Sequence, residues 1–392
     1  MYAKLLDVYL VMHVSVTNCN FWGVDMEYKR FALEQWYDKK DTAKDISESG
    51  MIHFGIMSVE DILNSISWKE FAYYGEIAGE DEFRDLIALI YRCDKENVLV
   101  TNGASEAVFI ALESLLDIND EIICVLPYYN SIHNILKNKH IRVVECGIEI
   151  DNLNVFFDNL MDLISENTKA ILLSSINNPT GAKLTYEQYY KLVDIASYQG
   201  VYVILDDVFA ELTDFGNEYL FDYSNLERVI HINSMSKSYA VPGLRIGWAI
   251  SNANVIKQFA NTKSYISENV SVILQRCGIN ILMNREKLLH QNRKILKTNL
   301  NILKRKIATF DDLSLVEPCG GCCCLIKYDF PIDSFSLCEN IYDKTGILLA
   351  PGAAFGYEYC FRIGYGVDTE FFQNILNELM EYIQKWRKMY YE

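Results

Sequence analysis

The stretch NSMSKSYAVPGLRIGWAI, residues 233–250, decides how the chain reads. It sets one lysine, Lys237, among small hydroxyl residues, turns at Pro242-Gly243 and arrives at Arg245. The flanking runs RVIHI and IGWAI have the continuous apolar character of strands buried on both faces. Lysine and arginine are costly to hold beside such a core unless each has a partner. Two cations at the ends of buried strands therefore point to an anionic ligand, to a lysine kept for chemistry, or to both.

Working outward, apolar runs alternate with amphipathic helical ones. NVLVTNG reads as strand then turn, and SEAVFIALESLL as a helix. DEIICVLP, IRVVEC, KAILLSS, VYVILDD, RVIHINS and GWAIS read as buried strands, most separated by helical segments such as TYEQYYKLVDIASYQG. This alternation predicts an α/β fold with a mostly parallel sheet between helices, and ligands then bind at the carboxyl ends of the strands. Beyond about residue 252 the pattern turns helical, and strands near 313–317, 321–328 and 360–365 precede a last helix from about 368. A chain of 392 residues exceeds one ordinary core. The expected division is an N-terminal extension and arm over 1–48, a large domain over 49–275 and a smaller C-terminal α/β domain over 276–392.

Charge and cysteine usage narrow the function. A net charge of -17 argues against nucleic acid or an anionic membrane as partner. Eleven scattered cysteines, an odd number, with no convincing secretion signal fit a reducing cytoplasm. Cys322, Cys323 and Cys324 are adjacent on a strand and face alternate sides, so with Cys319 they cannot converge on one tetrahedral ion, and no metal is expected. The apolar start of the chain is broken by Asp7 and His13, and no other run is long enough to span a bilayer, which predicts a soluble protein.

Polar residues fall at the strand ends. Gly103-Ala104-Ser105 follows NVLVT and opens a helix, where free amides and the helix dipole favour an anion. Asn178 lies in NNPTG after AILLSS, held extended by the following proline. Asp206 ends the very apolar VYVILD and needs a partner there, and Lys237 follows the next strand. The strand ends thus offer phosphate donors, an amide, an acid and an amine.

In order and spacing these motifs resemble the fold type I, class I/II aminotransferase-like enzymes that use pyridoxal 5′-phosphate (PLP), over nearly the whole chain from about residue 30. The resemblance implies that Lys237 carries the cofactor as a Schiff base and shuttles protons, while Asp206 keeps the pyridine nitrogen protonated. It implies that Asn178 donates to the phenolic oxygen and that Gly103, Ala104, Ser105, Ser234, Ser236 and Arg245 form the phosphate site. Tyr129 in LPYYNS matches the aromatic that stacks on the ring. Arg362 in CFRIGYG matches the arginine that grips the substrate α-carboxylate, and Gly50 in ISESGM lies where the chain approaches substrate. Tyr74, with Gly79 in YGEIAGEDEFR, resembles the segment that reaches a neighbouring subunit's phosphate, implying a homodimer. Asp207 is expected to face away from the site and to tolerate asparagine.

One departure is informative. The family pattern near Asp206 is Asp-x-x-Tyr, whose hydroxyl binds the phenolic oxygen, whereas this chain has Phe209. The segments LEQWYDKKDTAKDISESGM, NGASEAVFIAL, DDVFAEL, SMSKSYAVPGLRIGW and LLAPGAAFG are similar to the capreomycidine synthase-like subgroup of arginine-derivative cyclases. That likeness implies a guanidine-bearing amino acid substrate, loss of its hydroxyl, and ring closure by the guanidine. A conventional aminotransferase is the alternative.

Overall fold

A computed structural model describes residues 31–38, 40–51, 72, 74–128, 131–150, 156–213, 223 and 226–391. In chain order the strands are β1 (Lys44–Asp45), β2 (Val98–Thr101), β3 (Glu121–Leu126), β4 (Arg142–Gly147), β5 (Thr168–Ser174), β6 (Tyr202–Asp206) and β7 (Val229–Ser234). They continue as β8 (Gly247–Ile250), β9 (Leu313–Leu315), β10 (Cys323–Tyr328), β11 (Ile347–Leu348), β12 (Ala350–Pro351) and β13 (Cys360–Gly364). Seven of them form one sheet in the order β2-β8-β7-β6-β5-β3-β4. The pleat sends alternate residues to opposite faces. Val100, Ile123, Val203, Leu205 and Trp248 pack on one side against the helices Asp81–Tyr91 and Tyr186–Gln199. Leu99, Ile122, Ile204, Ile230 and Ala249 pack on the other against the helices Ala104–Leu115 and Ala253–Ser264.

Two helices beside the large sheet show local causes for their boundaries. Thr185 and Gln188 form a capping box at the start of Tyr186–Gln199, and Gly200 ends it in the left-handed region at φ 71. Asn252 caps Ala253–Ser264 by accepting from the amides of Asn254 and Val255.

The mostly parallel sheet has one exception. Strand β8 runs antiparallel to both β2 and β7. The link from Ser234 to Gly247 stays at one end of the sheet, so β8 must run back from it. Gly247 therefore lies opposite Thr101 and Ser234 at once. This register returns Arg245 to the edge from which Lys237 departs.

A second, antiparallel sheet has the order β12-β13-β10-β9. Helices Arg285–Ile307, Ser334–Thr345 and Thr369–Tyr391 cover it around Leu296, Leu303, Phe361, Ile363 and Phe372. The arm joins this unit: β1 pairs in parallel with β11, and Trp36 Nε1 donates to Leu349 O at 2.8 Å. The helix Arg285–Ile307 touches both cores, with Leu288 and Leu289 in the first and Leu296 onward in the second. Cys322 and Cys324 pack in the second core. Among the described residues no helix is long and apolar enough to cross a membrane.

The register of β8 leaves no room for a side chain at Gly247. A Cβ there would lie 2.6 Å from the Gly103 carbonyl carbon and 2.7 Å from the Ala104 nitrogen, both backbone atoms that cannot swing away. Gly247→Ala is expected to cost about 1–3 kcal/mol in denaturant unfolding and to open the turn at Gly103. Gly243→Ala, where a Cβ meets nothing within 4 Å, should leave the midpoint nearly unchanged.

Candidate active site

The carboxyl ends of β2, β5, β6 and β7 and the start of β8 open on one cavity of about 380 Å³. Asn178, Asp206, Ser236, Lys237, Arg245 and Arg362 are among its lining. Ala104, Ser105 and Ser234 line it too. The strand ends converge there because the parallel strands all finish at one edge and antiparallel β8 begins at it.

Strand β2 hands over to the helix Ala104–Leu115 through Gly103, whose φ of +80 is a region glycine enters freely. A Cβ on Gly103 would stand 2.6 Å from Arg245 Nη2, so the bare backbone is what lets the guanidinium come close. Arg245 itself sits at φ 52 just after the short helical turn Pro242–Leu244. That conformation costs a non-glycine residue about 1–2 kcal/mol. Its Nη1 donates to Pro242 O at 3.1 Å and to Ser236 Oγ at 3.4 Å. Unbonded amides at the start of Ala104–Leu115, hydroxyls of Ser105 and Ser236, and the Arg245 fork make a cradle for a dianion.

Lys237 lies on the four-residue helix Met235–Ser238. Two neighbours fix that turn: Ser238 Oγ donates to Val208 O at 3.1 Å, and Asn292 Nδ2 donates to Ser238 O at 2.7 Å. Lys237 Nζ donates to Ser49 Oγ at 3.2 Å and stands 6.0 Å from the centre of the Phe209 ring. A Cβ on Gly50 would be 3.9 Å from the same nitrogen, so the chain passes close by the amine.

Asp206 opens to the cavity and is enclosed by protein elsewhere. Desolvation lifts its carboxyl to about 6, against the Val208 amide that donates to Oδ1 at 3.1 Å. Among the described residues it has no ion-pair partner. A carboxylate so placed suits a cationic N–H donor entering from the cavity.

Arg362 is 2% exposed and heavily committed. Its Nε and Nη2 donate to Ser47 O at 2.9 and 2.6 Å, Nη2 also to Tyr37 OH at 3.0 Å, and Nη1 to Asn178 Oδ1 at 3.0 Å. The Phe355 ring lies 4.9 Å from its guanidinium carbon. Burial works against the Arg362 charge, but facing Tyr37, Cys323 and Glu48 more than offset it, and its pKa stands above the ordinary value. Asn178 Oδ1 also accepts from Cys323 Sγ at 3.3 Å. With Oδ1 taken twice, the amide has Nδ2 left as its donor.

Tyr74 does not line this cavity; it is 84% exposed on the rim of the chain. Tyr129 lies outside the described residues. Asp207 faces away from the cavity as expected, but it is no neutral control. It is fully buried, with Oδ2 2.6 Å from His231 Nδ1 and accepting from Tyr223 OH at 3.4 Å. His231 Nε2 in turn meets Tyr189 OH at 3.2 Å. Asp207→Asn disturbs a buried charged network, so tolerance is not the expectation. Sequence reading missed Tyr37, Ser47, Ser49 and Cys323. The first three lie within LEQWYDKKDTAKDISESGM, whose likeness to cyclases was the available signal.

The fold and site define a fold type I enzyme. The family model for aminotransferase class I and II matches residues 59–379, and the chain belongs to that family. It is similar to an aspartate aminotransferase of Pyrococcus horikoshii, 28% identical over 78% of this chain and 82% of the relative. It is also similar to a capreomycidine synthase of Streptomyces vinaceus, 23% identical over 85% of this chain and 88% of that enzyme. A solved PLP-dependent aminotransferase from Streptococcus suis superposes with a TM-score of 0.82 at 26% identity, covering 92% of this chain and 98% of the other. The protein is accordingly a PLP-dependent enzyme of the aminotransferase superfamily. The residues present fit the cofactor: the missing Cβ at Gly103 admits the phosphate fork, and the Asp206 carboxylate lacks the cation that a pyridine N–H supplies.

The raised carboxyl sets a pH test on cofactor-free protein. Asp206 releases its proton near 3.8 when unfolded and at about 6 when native, so the native state binds the extra proton between these values. Stability therefore falls as pH rises from about 4 to 6, by about 3 kcal/mol at most, and then levels. Urea unfolding across that window should show the fall in wild type and a flatter profile in Asp206→Asn. Equal slopes would contradict the assignment.

Proposed function

We propose that the enzyme is a PLP-dependent cyclase of a hydroxylated, arginine-like amino acid. The observation that carries this reading is Phe209. Its ring stands 6.0 Å from Lys237 Nζ, where the family pattern has a tyrosine hydroxyl beside the cofactor's phenolic oxygen. Without that donor the proton balance around the amine differs from that of an ordinary aminotransferase.

The chain's residues would divide the work as follows. Arg362, held by Ser47, Tyr37 and Asn178, would take the substrate α-carboxylate. The phosphate would lie between the Ala104 and Ser105 amides, Ser234, Ser236 and Arg245. Lys237 would carry the cofactor and, once displaced, move the α-proton. Asp206 would hold the pyridine nitrogen protonated, and Asn178 Nδ2 would donate to the phenolic oxygen. Bound PLP supplies an electron sink conjugated to the substrate α-carbon. With the α-carbon deprotonated, a β-hydroxyl would leave as water, or a γ-hydroxyl after a second proton is taken from the β-carbon, and the guanidine nitrogen would add to the resulting double bond at short intramolecular range. Proximity of that kind contributes several kcal/mol.

Similarity to the capreomycidine synthase supports this reading, and similarity to the aspartate aminotransferase supports the alternative, transamination of an amino acid. The homodimer belongs to the same proposal. Tyr74 is exposed, as a residue that reaches a second copy would be. The partner's counterpart of Tyr74 would then reach toward the phosphate.

Purified enzyme, given β- or γ-hydroxyarginine with no keto acid, is expected to turn over repeatedly. The product should be lighter by one water. Phe209→Tyr should raise side transamination modestly, the effect of one added donor being about 1 kcal/mol. If turnover stops after one equivalent and resumes only when a keto acid is added, the cyclase reading fails and transamination stands.

A further inference from the structure

The segment 47–50 runs between the two groups that grip an amino acid. Ser47 O accepts from Arg362 Nε at 2.9 Å, and Ser49 Oγ accepts from Lys237 Nζ at 3.2 Å. Both serines are buried, whereas Glu48 between them is half-buried and lines the cavity. Its charge acts through space on Arg362, Tyr37 and Cys323, which places the carboxylate close to this end of the site. Among the described residues it makes no hydrogen bond and no ion pair.

The other charges on the wall have duties. Arg362 is held by Ser47, Tyr37 and Asn178, and Arg245 by Ser236 and Pro242. Asp206 accepts from the Val208 amide, and Glu34 interacts with a neighbour. Among the described lining residues one charge therefore has no bonded partner, that of Glu48, and it is negative. A partly desolvated carboxylate gains most from a charged hydrogen-bond partner. A second carboxylate on the substrate would instead meet a like charge, which is discrimination by repulsion.

We propose that Glu48 selects amino acids whose side chain ends in a cation and rejects dicarboxylic ones, whichever bond the enzyme then breaks. The proposal rests on the reading of this cavity as the amino acid site, and not on cyclisation. It gives Glu48 a specificity role.

The test is a visible-absorbance titration of the holoenzyme with L-arginine, with L-citrulline as the neutral isostere, and with L-glutamate. Wild type is expected to bind arginine at least about tenfold more tightly than citrulline, as one charged hydrogen bond supplies. Glu48→Gln should remove that ratio while leaving citrulline affinity within about threefold, and Glu48→Lys should shift preference toward glutamate. Unchanged arginine preference in Glu48→Gln overturns the proposal. If Glu48→Gln fails to retain its cofactor, the wild-type ratio decides alone, and equal affinity for arginine and citrulline overturns it. Failure of the cyclase reading looks different: arginine preference persists but β- or γ-hydroxyarginine gives no dehydrated product.

Discussion

The site depends on a backbone contact more than on any side chain. Where β8 starts, Gly247 lies against Gly103, Ala104 and Asn233 with no space for a Cβ. That packing joins three chain segments far apart in sequence: the turn after β2, the end of β7 and the start of β8. Lys237 leaves the edge and Arg245 returns to it, with Gly103 bare beneath the guanidinium. Cations that look misplaced in an apolar sequence are thus delivered to the wet edge of a dry sheet.

Adjacent carboxylates on one strand show how the pleat assigns different fates. Asp207 turns into the core, where its Oδ2 meets His231 and Tyr223. Asp206 turns toward the cavity with one amide hydrogen bond and, among the described residues, no ion-pair contact, and desolvation pushes its carboxyl up to about 6 against the Lys237 charge acting through space. The first is tied into the core through one oxygen. The second is incomplete in this chain and suited to a ligand that brings its own proton. The same contrast separates Arg362, held by Ser47, Tyr37 and Asn178, from Glu48, which bonds no neighbour among the described residues.

Much of the large sheet was legible because most of its strands are covered on both faces and so read as unbroken apolar runs. Residues 98–101, 121–126, 202–206 and 229–234 stand where those runs lie, whereas the edge strand 142–147 is largely half-buried or exposed. Asn178, Asp206, Lys237 and Arg245 were legible because polar residues that end such runs can only lie at the sheet edge. The direction of β8 was not, since apolar patterning carries no sign of parallel or antiparallel pairing. The arm was not either. Ser49 meets Lys237 across 188 residues and Tyr37 meets Arg362 across 325, and no local pattern records contacts of that range. Cys323 looked like a small core residue among cysteines, yet strand alternation turns it to Asn178 while Cys322 and Cys324 enter the core.

The central claim is that Lys237 is the residue that holds the cofactor. Borohydride reduction of the purified yellow protein, followed by peptide mapping, tests it most directly. The expected result is a single pyridoxyl label within NSMSKSYAVPGLR, absent from Lys237→Ala. A label on another lysine, such as the buried Lys263 whose pKa is lowered by desolvation, would contradict the assignment of the whole site.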